Sequence, residues 1–196
     1  MPHKMPDLFP FEVSGGPVRD ALARLAAEGF IRYDRDGGKG HSTKEWTVKE
    51  QHDLHCLAFI FLTANMRCMV DRPTALFQEF AALDPDVPNA KDAPERVAGY
   101  FERLLMGLAY AGRNETLIEM NQTVVDRTHL VRLLDYSAPQ VARSAAVALR
   151  TFSQAMLDED LDTAQAAGQS QLDGRVARLP QLVEQANARA RQARIP

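Results

Sequence analysis

Two runs of apolar residues decide what this chain can fold into. Val97, Tyr100, Phe101, Leu104, Leu105, Leu108 and Ala111 recur three and four apart, as do Val141, Ala145, Ala148, Leu149, Phe152 and Met156. Each set lines one face of a helix, and such a face is stable only against another helix. A third run, C-L-A-F-I-F-L-T-A-N-M at 56–66, is apolar nearly all round and predicts a helix in the middle of a bundle. Helix starts are marked by capping-box spacing at Thr47/Glu50, Asp92/Glu95 and Ser137/Gln140, and by Asn114 and Asp160 as caps. The pattern predicts helices over 48–70, 74–83, 93–111, 115–135, 138–158, 161–177 and 178–193. Linkers this short make neighbours antiparallel, so this part reads as an all-α bundle.

The chain has 196 residues, enough for one large domain or two small ones. No stretch is long and apolar enough to span a membrane, and the N-terminal residues lack the apolar core of a signal peptide. A cytoplasmic protein is the expectation. Cys56 and Cys68, if on one helix, lie about 18 Å apart, beyond disulfide reach; they read as core thiols in a reducing compartment. No nucleophile–base set, phosphate loop or pair of buried carboxylates is evident, which argues against an enzyme. His52 and His55, three apart, read as a solvated helix start rather than a metal site.

Ahead of the bundle stands V-S-G-G-P-V-R-D-A-L-A-R-L-A-A-E-G-F-I, residues 13–31. Val18, Leu22, Leu25 and Ala26 form a helical stripe to be buried, while Arg19, Asp20 and Arg24 point away from it. Ser14 is placed to cap, Pro17 sits in the first turn and Gly29 ends the helix. This run resembles the recognition helix of GntR-family transcription regulators, V-S-R-T-P-V-R-E-A-L-R-R-L-E-A-E-G-L-V, without a gap. The resemblance implies DNA contacts from Ser14 and Arg19; the family's Arg and Thr are replaced by Gly15 and Gly16. Residues 31–46 follow, with Gly37-Gly38 as a hairpin signal. In the family this is the wing, which would put Arg35, Lys39 and His41 on the DNA backbone; a plain loop with scattered charges is the other reading. The twelve residues before Val13, with three prolines, cannot hold the family's two preceding helices, so the head is expected to be truncated. Residues 1–48 carry seven Lys/Arg and seven Asp/Glu, a balance that argues for weak operator binding.

The bundle is similar to the FCD effector domain of the FadR subfamily, on Ala155-Met-Leu-Asp-Glu-Asp160-Leu-Asp-Thr-Ala164 and Ala111-Gly-Arg-Asn114. Many such domains hold a divalent metal with an Asp, three His and a nearby arginine. Carried over, these positions fall on Phe101 and Leu105 (or Tyr100 and Leu104), Leu149, Gln171 and Ala58. All are apolar or amide, so no metal or other cofactor is expected. The resemblance instead implies effector contacts at Ala58, Phe101, Leu105, Asn114, Leu149 and Gln171. Two readings stay open: a metal-free pocket for an apolar or amphipathic effector, or a position filled by core side chains.

The expected fold is mainly α, with a partial winged helix-turn-helix head over 1–46 and an all-α antiparallel helical bundle over 47–196. The expected function is a GntR-type DNA-binding transcription regulator, a homodimer on operator DNA that senses a small, apolar or acidic metabolite. The alternative is a DNA-incompetent relative acting as a dimerisation, small-molecule or partner-binding module.

Overall fold

Local signals at the helix ends carry the architecture. The computed structural model describes residues 15–27, 29–34, 40–84 and 93–192. The elements are α1 (Gly15–Ala27), β1 (Ile31–Asp34), β2 (Gly40–Thr43), α2 (Val48–Cys68), α3 (Thr74–Ala81), α4 (Ala93–Ala111), α5 (Glu115–Tyr136), α6 (Pro139–Leu157) and α7 (Leu161–Gln192). They fall into two compact units, the described residues before Glu45 and Glu45–Gln192. The fold is mainly α.

In the first unit, α1 ends at Gly29, whose φ of 80° suits a residue without a Cβ. The Gly29 N–H donates to Ala26 and the Phe30 N–H to Leu25, the paired bonds of a Schellman stop. The chain then forms an antiparallel hairpin, with Ile31 opposite Thr43 and Tyr33 opposite His41. The stripe expected to be buried on α1 is only half covered: Val18, Leu22 and Ala26 are half-buried and Leu25 is 38% exposed.

The second unit is the bundle. Thr47 and Glu50 form the expected capping box at α2, through Glu50 N–H to Thr47 Oγ1 (3.1 Å) and Thr47 N–H to Glu50 Oε2 (2.9 Å). Asn114 Oδ1 caps α5 by accepting from Leu117 N–H, and Asp160 Oδ1 accepts from Thr163 N–H at the start of α7. Ser137 does not form its expected box. It closes α5 instead, its Oγ donating to Leu134 O, and Ala138 precedes α6. The expected cap Asp92 lies outside the described residues.

One large core joins Leu62 and Met66 of α2, Phe77 and Phe80 of α3, Leu104 and Leu108 of α4, and Leu149, Phe152 and Met156 of α6. A second packs Val97 and Ala98 against Tyr136, Ala142 and Ala145. A third joins Val131 and Leu134 of α5 to Leu179, Leu182 and Ala186 of α7. That last cluster corrects the division of the C-terminal region into two helices. Pro180 removes one backbone donor, yet α7 runs unbroken across it because apolar residues on both sides of the proline pack on α5.

Two further expectations are overturned. Helix α2 is not enveloped, since Ile60 is 57% exposed and its buried side chains are confined to one flank. The cysteines are not core thiols: Cys68 is exposed and Cys56 half-buried. No described helix is long and apolar enough to cross a membrane.

Candidate functional site

The outward face of α1 carries Arg19, Asp20 and Arg24, all exposed. His41 is half-buried on β2. Ser14, Arg35 and Lys39 lie outside the described residues. The hairpin expected around Gly37-Gly38 is formed by the strands that flank it.

In the bundle, four of the six expected effector residues converge. Phe101 and Leu105 of α4, Leu149 of α6 and Gln171 of α7 line one cavity, walled further by Leu62, Leu104, Phe152 and Gly168. Its volume is about 30 Å³, room for a single water and little more. Gln171 is half-buried, so its amide is not committed to a buried partner as its helix face suggests. Gly168 marks a close helix crossing: a Cβ there would lie 2.8 Å from Leu62 Cδ2 and 3.3 Å from Phe59 Cε2.

Ala58 and Asn114 do not join this cavity. Ala58 is half-buried on α2, and Asn114 is exposed, its side chain occupied in capping α5. The Ala111–Asn114 motif is therefore a helix junction, in which Arg113 takes a φ of 52° and pairs with Asp71. The ligand set of a metal-binding bundle is not met either. Phe101, Leu105 and Leu149 offer no lone pair, and among the described residues no three His, Cys, Asp or Glu gather as a metal site.

Sequence reasoning missed a buried polar cluster between α2, α5 and α7. Asp135 accepts from Arg175 Nε (3.0 Å), Arg178 Nε (2.6 Å) and Arg178 Nη2 (3.0 Å). Arg175 Nη2 donates to the Tyr136 hydroxyl (2.5 Å), and its guanidinium lies 5.2 Å from the Tyr136 ring centroid. Burial pushes the Tyr136 phenol up, so it stays protonated. Beside this group Arg132 donates to Glu102 Oε1 (2.7 Å), to Val125 O (2.6 Å) and to Thr128 Oγ1.

His55 belongs to the same interior, which corrects its reading as part of a solvated helix start. It is 3% exposed, and its Nδ1 lies 2.7 Å from the Gln51 carbonyl, so Nδ1–H donates and Nε2 keeps its lone pair. Burial first, then the positive charges of Arg175 and Arg132, hold its pKa down at about 3. His52, in contrast, is exposed, as expected. The signal for this cluster was the pairing of Asp135-Tyr136 with Arg175 and Arg178, three apart on one helix. Breaking the helix at 177 hid it.

No protein-family model and no curated protein matches the chain by sequence. Among solved structures, the chain resembles Lar, which controls the expression of the Listeria monocytogenes agr system and mediates virulence. Identity is 13% over 87% of this chain and 81% of that one, with a TM-score of 0.66. It also resembles a GntR-family transcriptional regulator from Pseudomonas syringae pv. tomato str. DC3000, at 15% identity over 91% of this chain and 74% of that one, TM-score 0.52. At such identities the likeness is one of fold.

Proposed function

We propose that this chain is a GntR-like transcription regulator, an operator-binding homodimer and not an enzyme. Its helix α1 and hairpin would contact DNA, and its bundle would respond to a small apolar or acidic metabolite without a metal. The observation that carries this reading is the order of parts, an arginine-bearing helix and hairpin leading into the bundle, together with the likeness in fold to two regulators. Arg19 supplies the DNA-facing charge, and phosphate contacts of this kind set affinity and its salt dependence. The effector site proposed is the cavity of Phe101, Leu105, Leu149 and Gln171. At about 30 Å³ it admits no metabolite as it stands. A ligand would have to displace the half-buried Phe101, Leu105 or Gln171 and stabilise the opened form.

That small volume, with the charge balance of residues 1–48, also favours a second reading. In it the bundle is a dimerisation or partner-binding module, and the head does not hold operator DNA.

Anisotropy titration against the region upstream of the chain's own gene separates the two. Sequence-specific binding that is lost in Arg19→Ala supports the regulator, and salt-labile binding equal on any duplex supports the second reading. A thermal-shift series with acyl carboxylates tests the sensor, because a ligand that binds only the folded bundle raises Tm with the logarithm of its excess over Kd. Elemental analysis after dialysis is expected to find no stoichiometric Zn, Ni or Mn. One retained metal per chain would overturn the metal-free reading.

A further inference from the structure

Helix α2 presents a histidine and a cysteine on one face. His52 and Cys56 are four residues apart, so their side chains lie one above the other on the same side of the helix. Cys56 Sγ stands beside the His52 ring, 3.8 Å from Nδ1 and 3.7 Å from Nε2. A tetrahedral ion of the zinc class, bonded at about 2.3 Å to sulfur and about 2.0 Å to nitrogen, sets those two ligands about 3.5 Å apart. The pair therefore stands close to the separation such an ion needs, and only the His52 ring has to turn about χ2, a soft torsion. Asp53 Oδ1 lies 3.4 Å from His52 Nδ1. A carboxylate there favours the tautomer that carries its proton on Nδ1 and leaves the Nε2 lone pair for a metal. The other oxygen of Asp53 accepts from Lys49 Nζ at 2.5 Å, so the charge of the lysine is already matched. His52 is exposed and Cys56 half-buried, which leaves the pair open to solvent.

We propose that His52 and Cys56 form a two-ligand site for a borderline-soft cation of the zinc class, with water in the remaining positions. Thiolate and imidazole together select such ions over magnesium, calcium or manganese, which prefer oxygen. Binding forms a metal–sulfur bond and releases the Cys56 proton to solvent. The neighbouring histidine and the other cysteine do not belong to the site. His55 is 3% exposed and buried near Arg132 and Arg175. Cys68 has Ala64, which offers no lone pair, at the matching position one turn back. The site is on the solvent side of α2, apart from the cavity of Phe101, Leu105, Leu149 and Gln171, and it needs neither DNA nor an effector. Two protein ligands let the ion exchange, so dialysis removes it and the elemental analysis proposed above still reports on the interior.

The test uses the full chain with its thiols reduced, and Cys68→Ser as the background in which Cys56 is the one thiol left. Titration with cadmium is followed by the ultraviolet charge-transfer absorption of the metal–thiolate bond. The band is expected to saturate at a single cadmium per chain, to be lost on adding zinc, and to persist in excess magnesium. Adding Cys56→Ser abolishes it. His52→Ala in the same background weakens binding by about tenfold or more, and Asp53→Asn by less. In the wild type, the His52 Nε2 resonance shifts when zinc is added, a change that binding by sulfur alone does not produce. Circular dichroism identifies any variant that unfolds, in which case the His52 resonance of the wild type carries the test. The proposal is overturned if folded Cys68→Ser gives no band, if His52→Ala binds cadmium as tightly as its background, or if the His52 resonance ignores zinc. None of these results bears on operator binding, which the anisotropy titration decides separately.

Discussion

The ring of Tyr136 stacks on that of Phe101, their centroids 5.8 Å apart at an interplanar angle of 30°. Phe101 lines the cavity and Tyr136 receives Arg175 on its hydroxyl. The apolar cavity and the buried ionic cluster thus share a wall, and a change in one is felt as packing in the other.

Asp135 is the anion of that cluster, and its side chain is almost wholly buried. Asp135→Asn leaves Arg175 and Arg178 without their counter-charge. It is expected to lower stability by about 3–5 kcal/mol, the cost of breaking one side of a buried pair. Urea unfolding with an unchanged m-value checks this. A loss below about 1 kcal/mol would mean that solvent reaches Arg175.

His55 makes stability depend on pH. Its folded pKa of about 3 lies below its ordinary value of 6.5, so between these values the unfolded chain takes up a proton that the folded chain refuses. Stability therefore falls as pH drops from 6.5 toward 3, by about 2 kcal/mol at pH 5 from this group alone. His55→Gln should flatten that part of a plot of Tm against pH. An unchanged slope in the variant would assign the effect to other groups.

Leu149 is 1% exposed at the centre of the largest core. Leu149→Ala is expected to cost about 2–5 kcal/mol. If the acyl-carboxylate series stabilises the variant more than the wild type, the enlarged cavity is a ligand site. If the variant is weakened and the series is silent on both proteins, the cavity is plain core and the sensor reading falls.

Glu159, at the α6–α7 turn, holds a left-handed φ of 64°. Its N–H donates to Met156 O and the Asp160 N–H to Ala155 O, the same stop that Gly29 makes for α1. Glu159→Gly removes the Cβ strain at the expense of an exposed pair with Arg72 that is worth little. A gain of about 0.5–1 kcal/mol is expected from the balance of backbone strain and unfolded-chain entropy. A lower Tm in this variant would show that Arg72 needs its carboxylate to hold the end of α6.

Helix positions were legible because spacing and caps are local: Thr47, Asn114 and Asp160 act where the sequence puts them. Phe101, Leu105, Leu149 and Gln171 were legible as a group because four inward positions on three helices meet when the bundle closes. The rest depended on partners far along the chain. Nothing local distinguishes a solvated His55 from one buried near Arg132 and Arg175. Pro180 reads as a break until the packing of Leu179 and Leu182 on α5 outweighs the missing hydrogen bond. Ser137 had two helices to serve, and the C-terminus of α5 took it.

The packing of α2 on α7 has a consequence in time. Helix α2 is synthesised first in the bundle, and α7, which comes within a Cβ's reach of Leu62 and Phe59 at Gly168, is synthesised last. Until α7 has left the ribosome, that flank of α2 has no final cover. Premature termination before residue 161 would leave it bare for good. Such fragments should aggregate or be cleared quickly, whereas a chain that carries α7 covers that flank.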